Sequence, residues 1–251
     1  MGVIISLFII SAWGLHFFYC MYNVSISLYN PFLYLHMLIQ AYLFTGLFIT
    51  SHDAMHGNVS GNKKLNNLIG SSCSFLFAGM SYKKLYKNHH RHHTLPGTDK
   101  DPDFCYSSDN FFIWWFVFLK RYVTVIQIFI MALIFNILKY YFGEWKVWIF
   151  LIIPVTLSTF QLFYFGTYRP HKRPHKHDML PHNARTQKKN HLLAMISCYF
   201  FGYHSEHHNY PRIPWWRLYK TKWYFLNILF LGLTIKASGI KILTEIDFCQ
   251  L

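Results

Sequence analysis

Four apolar stretches, each long enough to cross a bilayer, constrain the fold of this 251-residue chain more than any other feature. A transmembrane helix needs about 20 mainly apolar residues, and the four stretches cover residues 3–22, 32–50, 122–142 and 147–167. Charged residues make up only 14% of the chain, against about 25% in ordinary soluble domains. We therefore predict an all-α, polytopic membrane protein in which about four transmembrane helices form two hairpins, with residues 1–251 as a single domain.

The distribution of Lys and Arg predicts how these spans are oriented, because both residue types are enriched in cytoplasmic segments. Residues 51–121 carry nine of them and residues 168–222 carry eleven, together twenty of the 24 in the chain. The connecting segments 23–30 and 143–146 carry none and one, respectively. We therefore expect both long segments and the N-terminus in the cytoplasm. This topology also explains the net charge of +14 better than nucleic-acid binding does.

Three shorter apolar stretches are too short or too polar to be assigned as spans. They cover residues 68–82, 111–119 and 223–235, and we interpret them as interfacial or re-entrant helices. The first span lacks a basic segment before it and an obvious cleavage site, so we interpret it as a retained helix and not as a signal peptide.

Eight histidines fall into three tight clusters, all of them in the two basic segments. The first cluster has the spacing HxxxH and the other two have HxxHH. Residues three and four apart on a helix lie on the same face, so each cluster can direct its imidazoles at one point. One metal rarely takes more than about six ligands, so eight converging imidazoles indicate two metals in a cytoplasmic, histidine-rich helical cap. The candidate ligands are His52, His56, His89, His92, His93, His204, His207 and His208.

Two fully held metals need further ligands and hydrogen-bond partners. We expect a ninth ligand from the loop after the fourth span, either His171 or, as the second choice, His182. His90 lies between the ligands of its cluster on another helical face, which favours a structural or supporting role. Ligating histidines usually donate their second N–H to an acceptor, and the carboxylates near the clusters are Asp53, Asp101, Asp103 and Glu206.

The clusters have two alternative interpretations, and the metal itself stays open. A basic, histidine-rich face could simply contact anionic lipid. A metal transporter is disfavoured, because its polar ligands should lie at mid-membrane, whereas the clusters fall in the cytoplasmic segments and only His16 and His36 lie within spans. We interpret these two and His191 as ordinary core or surface residues. The five cysteines show no paired spacing, which indicates free thiols or packing residues. Imidazole ligands suit Fe, Zn, Cu and Ni alike.

With these clusters the chain resembles the membrane di-iron oxygenases, which include fatty-acid desaturases, alkane hydroxylases and carotenoid-modifying enzymes. It is most similar to bacterial-type β-carotene ketolases (carotenoid 4,4′-oxygenases). The strings that carry this resemblance are HDAMHG at 52–57, GNKKLN at 61–66, HHRHH at 89–93, DPDF at 101–104, FGTY at 165–168, HNAR at 182–185, FGYH at 201–204, EHH at 206–208 and PWWRL at 214–218.

The resemblance implies an O2-dependent oxidoreductase with two iron ions, reduced by an external, ferredoxin-type electron donor. The implied reaction oxidises the C4 methylene of β-ionone rings to a ketone. β-Carotene would give echinenone and canthaxanthin, and hydroxylated carotenoids would give astaxanthin-type products. The alternative is a fatty-acyl desaturase or hydroxylase with the same di-iron centre. The expected partners are the carotenoid, the donor protein and the bilayer, without nucleic acid, and the substrate-binding residues stay unassigned.

Overall fold

The computed structural model describes residues 1–222, and within them every regular element is helical. Four helices are long and apolar enough to cross a membrane, which confirms the predicted all-helical architecture. They are α1 (Gly2–Asn23), α2 (Pro31–Met55), α6 (Val125–Phe142) and α7 (Glu144–His171). The protein is therefore an integral membrane protein built on two helical hairpins.

The remaining helices lie between and after these hairpins. They are α3 (Lys63–Ala78), α4 (Tyr82–Thr94), α5 (Phe111–Tyr122), α8 (His191–Cys198), α9 (His204–Asn209) and α10 (Trp215–Leu218). Two of the three short apolar stretches thus form helices α3 and α5, with shifted ends. The third, residues 223–235, lies outside the described residues.

Polar caps explain where two of the four spanning helices, α2 and α6, begin. The Asn30 side chain accepts a hydrogen bond from the Phe32 amide at 3.0 Å, with Pro31 in the first turn, a favourable combination at a helix N-terminus. The Thr124 hydroxyl likewise accepts from the Gln127 amide at 3.1 Å. Because of this cap α6 begins at Val125. We had predicted that the third span starts at Tyr122, but this residue is the last of α5.

Helix α2 is the central element, packed against α1, α3 and α7. The side chains of Phe44, Leu47 and Phe150 are completely buried in this core. The Thr45 and Ser158 hydroxyls lie 2.8 Å apart and link α2 to α7, a polar contact of the type that holds helices together in lipid. By contrast, α6 leaves large apolar side chains such as Ile126 and Phe129 exposed, as expected for a helix that faces lipid.

Candidate metal centre

Four helices bring the predicted ligands to one place. Helix α2 continues five residues beyond the predicted end of the second span and carries His52, while His56 caps its C-terminus. Helices α4 and α9 carry the HxxHH clusters. Helix α7 ends at His171, directly after a π-helical segment, Tyr164–Tyr168; such segments occur frequently at functional sites.

The histidines form two groups of four, each suited to hold one metal ion. Within each group the four candidate ligand atoms all lie within 4.8 Å of one another. The first group consists of His52, His56, His89 and His207. The second group consists of His92, His171, His204 and His208.

The ring nitrogens face one another as metal ligands do. The Nε2 atoms of His56 and His89 are 2.7 Å apart, and Nε2 of His208 lies 3.2 Å from that of His92 and 3.1 Å from that of His204. Two nitrogens bound about 2.1 Å from one ion lie roughly 3.0–3.4 Å apart at right-angle to tetrahedral geometry. The buried Nε2 atoms of His52 and His171 have no hydrogen-bond partner among the described residues. The side chains therefore fit two metal ions.

The other three histidines near the centre differ in their contacts. His93 lies between the groups, with its Nε2 2.9 Å from Nε2 of His207 and its ring stacked on His208. His182 stacks on the outer side of the second group, 5.2 Å from the His208 ring centroid, without joining either group. His90 stacks on Tyr86 and places Nδ1 3.0 Å from its carbonyl oxygen.

A carboxylate supports the second group through His92. Nδ1 of His92 lies 3.0 Å from both carboxylate oxygens of Asp101. Asp101 is held in turn by the backbone amides of Gly97 and Asp103, each at 2.8 Å. Asp103 accepts a hydrogen bond from the Tyr122 hydroxyl. This network fixes the orientation of His92, as supporting partners of metal ligands usually do.

The remaining predicted acids have different partners. The Asp53 carboxylate accepts a hydrogen bond from the backbone amide of Trp215 at 3.0 Å and lies 3.8 Å from Nδ1 of His52. Glu206 forms an ion pair with Lys222 at 2.9 Å and accepts a hydrogen bond from Thr186. Glu206 thus links α9 to Lys222 and Thr186. We had expected it to accept a hydrogen bond from a ligating histidine.

Sequence reasoning missed two residues that support the centre. Nδ1 of His171 lies 3.0 Å from the backbone carbonyl oxygen of Asn183, which therefore orients the ninth candidate ligand. Arg121 donates to the carbonyl oxygens of Pro102 and Phe104, at 3.0 and 2.6 Å, and so holds the loop that carries Asp101. A backbone acceptor leaves no signature in the sequence, although Asn183 does fall within the HNAR string.

Burial keeps most of the centre neutral and ready to bind metal. It lowers the pKa of His56 to about 3, helped by the charge of His90. Burial and neighbouring imidazoles also hold the pKa values of His89, His204, His207 and His208 well below the ordinary value. Neutral imidazole is the form that binds metal.

His92 is the exception, because two carboxylates face it. Burial lowers its pKa, but the charges of Asp101 and Asp103 and the hydrogen bond to Asp101 outweigh this effect and raise the pKa to about 9. Burial by itself would raise the pKa of Asp101, and its contacts with His92 and two backbone amides lower it instead. A metal ion at the second group must therefore displace a proton from His92.

An apolar cavity of about 260 Å³ leads to the histidines. Its walls include His52, His89, His92 and His204 together with aromatic side chains such as Phe48, Trp115 and Phe118. The cavity lies between α2, α3, α5 and α7, so it joins the centre to the spanning region. A hydrophobic molecule dissolved in the bilayer matches this environment.

Comparison with known proteins identifies the family. The family model for fatty acid desaturases matches residues 29–151 and 119–230. The chain is 38% identical over 184 residues to a beta-carotene ketolase of Paracoccus sp. (strain PC1), covering 72% of this chain and 75% of that protein.

Other relatives carry similar names. Identity is 35% over 226 residues to a beta-carotene ketolase of another Paracoccus strain, N81106, covering 88% of this chain and 92% of that protein. The chain is 37% identical over 186 residues to a zeaxanthin 4-ketolase of Chlamydomonas reinhardtii, and the match covers 72% of this chain and 42% of that protein. No solved structure matches the chain. The family match and the relatives agree with the two histidine groups, and the chain belongs to the fatty acid desaturase family.

Proposed function

We propose that this chain is a carotenoid ketolase that uses O2 to convert the C4 methylene of a β-ionone ring into a ketone. β-Carotene would yield echinenone and canthaxanthin, and hydroxylated carotenoids would yield astaxanthin-type products. The observation that carries the proposal is the similarity to several beta-carotene ketolases at 34–38% identity, and the apolar cavity that ends on four histidines of the two groups supports an apolar substrate. The ketolases among the relatives support the same substrate class.

The two groups would each hold one iron ion, with His93 positioned between them. When bound, the two irons supply O2 activation, with electrons from an external, ferredoxin-type donor. The protein contributes binding, orientation and a protected site, as cofactor enzymes generally do.

The residues around the centre have separable roles in this proposal. Asp101 and the Asn183 carbonyl oxygen hold His92 and His171 with their Nε2 atoms directed inward. The aromatic side chains of Trp115 and Phe118 close the cavity against water. A β-ionone ring can offer no hydrogen bond at C4, so the shape of these apolar walls must place the methylene near the histidines.

The proposal includes the topology and the domain organisation. The Lys- and Arg-rich segments 51–121 and 168–222, which carry the histidines, lie on the cytoplasmic side, as does the N-terminus. The polyene of the substrate extends from the cavity between the spans into the bilayer. Residues 1–251 form one integral-membrane domain.

The main alternative is a fatty-acyl desaturase or hydroxylase with the same centre. Seven Lys and Arg within residues 168–189 could bind an acyl carrier with an acidic head group, so charge does not separate the two functions. The walls of the cavity do not separate them either, because an acyl chain is also apolar. Identification of the reaction products is therefore needed to separate the two functions.

Pigment analysis in bacteria that produce β-carotene or zeaxanthin tests the proposal. Cells that express the wild-type chain should accumulate 4-ketocarotenoids, detected by chromatography and mass spectrometry. His207→Ala should abolish these products, whereas the matched control His90→Ala, on the outer face of the same centre, should retain them. If the wild-type protein is folded and iron-loaded in the membrane but leaves the carotenoids unchanged in both the β-carotene and the zeaxanthin host, the proposal is contradicted. A changed fatty-acid profile in those cells would favour the alternative.

A further inference from the structure

A second cluster of metal-binding side chains lies inside the first hairpin. His16 and Cys20 on α1 meet His36 on α2, and their candidate ligand atoms all lie within 4.8 Å of one another. His36 precedes His52 by 16 residues, which is about 24 Å along a helix. The cluster therefore lies near the opposite end of the spans from the histidine centre. This arrangement corrects the interpretation of the two histidines as ordinary, isolated residues.

The distances match a single three-coordinate ion. Nε2 of His16 lies 3.2 Å from Nδ1 of His36 and 3.7 Å from Sγ of Cys20. An ion about 2.1 Å from nitrogen and about 2.3 Å from sulfur would separate the two nitrogens by roughly 3.4–3.6 Å and nitrogen from sulfur by roughly 3.6–3.8 Å. The nitrogen–sulfur distance already lies in this range, and a shift of a few tenths of an ångström would bring the two nitrogens to it.

A buried amide orients His16 toward the other two side chains. Oε1 of Gln40, a residue that is 0% exposed, lies 2.5 Å from Nδ1 of His16. When Nδ1–H donates to this oxygen, the lone pair of Nε2 faces His36 and Cys20. Metal-binding histidines are oriented in this way by the acceptor of their second N–H. Nε2 of Gln40 has no hydrogen-bond partner among the described residues, so the amide does not serve to link other parts of the fold.

The surroundings decide which ion fits. Neither α1 nor residues 31–50 contain Asp, Glu, Lys or Arg. The charge next to the cluster is positive: the Lys146 ammonium donates to the backbone carbonyl oxygen of Met21, at 2.6 Å, so it would not compensate an excess positive charge on a bound ion. Burying an uncompensated charge in a membrane is costly. One thiolate and two neutral imidazoles balance a monovalent cation, whereas Zn2+ would leave one positive charge. Thiolate ligands suit both Cu(I) and Zn2+, so the charge balance is what favours Cu(I).

We propose that His16, Cys20 and His36 form a mononuclear Cu(I) site that is separate from the histidine centre. The Cys20 thiol loses its proton to solvent when the Cu(I)–sulfur bond forms, and no electron is transferred. Gln40 is a positioning residue that acts through His16. The side chains face one another across α1 and α2, so the bound ion would cross-link the first hairpin.

Copper X-ray absorption on the full-length protein in detergent tests this proposal. The protein would be loaded anaerobically with Cu(I) in the presence of a competing Cu(I) chelator. The histidine centre can also take copper, but among residues 1–222 its two groups consist of histidines alone. We therefore expect one tightly bound Cu(I) per chain with a sulfur neighbour at about 2.3 Å.

Three variants locate the sulfur and its supporting residue. Cys20→Ser should lose the sulfur signal, while the matched control Cys73→Ser, which alters an equally buried thiol in α3, should keep it. Gln40→Leu should weaken Cu(I) binding about 10- to 100-fold in chelator competition. A wild-type spectrum with nitrogen neighbours alone would overturn the proposal, whether or not the variants fold. A sulfur signal that persists in Cys20→Ser would overturn it equally.

Discussion

The two histidine groups contain the same ligand type but are supported very differently. All four members of the second group are buried, and two of them have fixed acceptors, the Asp101 carboxylate and the Asn183 carbonyl oxygen. In the first group His56 is only partly buried. Asp53, the acid beside this group, lies 3.8 Å from Nδ1 of His52, and its carboxylate accepts a hydrogen bond from the backbone amide of Trp215.

This difference indicates that the second group is the more preorganised half of the centre. Fixed acceptors orient ligands before the metal arrives, and removing them typically costs affinity. The first group lies beside a more open cleft that includes His56, His93 and Arg212. We therefore expect the second group to retain its metal more tightly and the first group to exchange its metal more readily.

The largest expected effect separates the two candidates for the ninth ligand. His171→Ala should remove a member of the second group and lower ketocarotenoid formation by at least about 100-fold, since even supporting residues of metal sites contribute 10- to 100-fold. His182→Ala removes a ring that only stacks on His208, so product should stay within a few-fold of wild type. Pigment yield per unit of membrane protein measures both. Equal losses in the two variants would contradict the assignment of His171.

The second prediction concerns pH. Because the pKa of His92 is about 9, a metal must displace its proton at any lower pH, and the affinity of the second group should rise about tenfold per pH unit from 7 to 9. Above pH 9 the dependence should level off. The first group should lack this dependence, since the pKa values of His56, His89 and His207 are already lowered.

Metal competition against a chelator of known pH dependence measures this difference. His207→Ala isolates the second group and His208→Ala isolates the first. Matching slopes in the two variants would show that the carboxylates do not distinguish the groups.

The third prediction tests the support that Asp101 gives to His92. Asp101→Asn should weaken metal binding at the second group about 10- to 100-fold and flatten its pH dependence, because the negative charge that raises the His92 pKa is lost. Asp99→Asn changes an exposed acid in the same loop and should leave both properties unchanged. Chelator competition with each purified variant provides the comparison, and an unaltered affinity in Asp101→Asn would contradict it.

The smallest effect is expected at Glu206, although it lies between ligands of the third cluster. Its carboxylate pairs with Lys222 and Thr186. Glu206→Gln should therefore change metal affinity by about threefold or less, well below the usual loss for a direct supporting partner, and should lower thermal stability modestly. A loss as large as that of Asp101→Asn would show that Glu206 also supports a ligand.

The sequence predicted the spans well and their ends less well. Apolar composition identified the four candidate transmembrane helices of residues 1–222, because a bilayer demands that length and hydrophobicity. Hydropathy ended the second span at residue 50, but the backbone hydrogen bonds of α2 continue to Met55. Two polar residues in that extension are the candidate ligand His52 and the nearby acid Asp53, so their polarity is explained by the candidate site and not by the end of the helix.

The histidine clusters were predictable because their spacing is local, whereas their partners were not. The choice between His171 and His182 depended on where α7 ends, and this end follows a π-helical segment that no periodicity revealed. The pairing of His16 with His36 also escaped sequence reasoning. The i, i+4 spacing of His16 and Cys20 was visible, but the approach of His36 depends on how α1 packs against α2.

Iron content of the purified, catalytically active protein tests the two-metal account most directly. We predict two iron ions per chain in the wild type, and at most one in His171→Ala, which should form no ketocarotenoid. An active wild-type protein that contains a single iron ion, or an inactive His171→Ala that still retains two, would contradict the account.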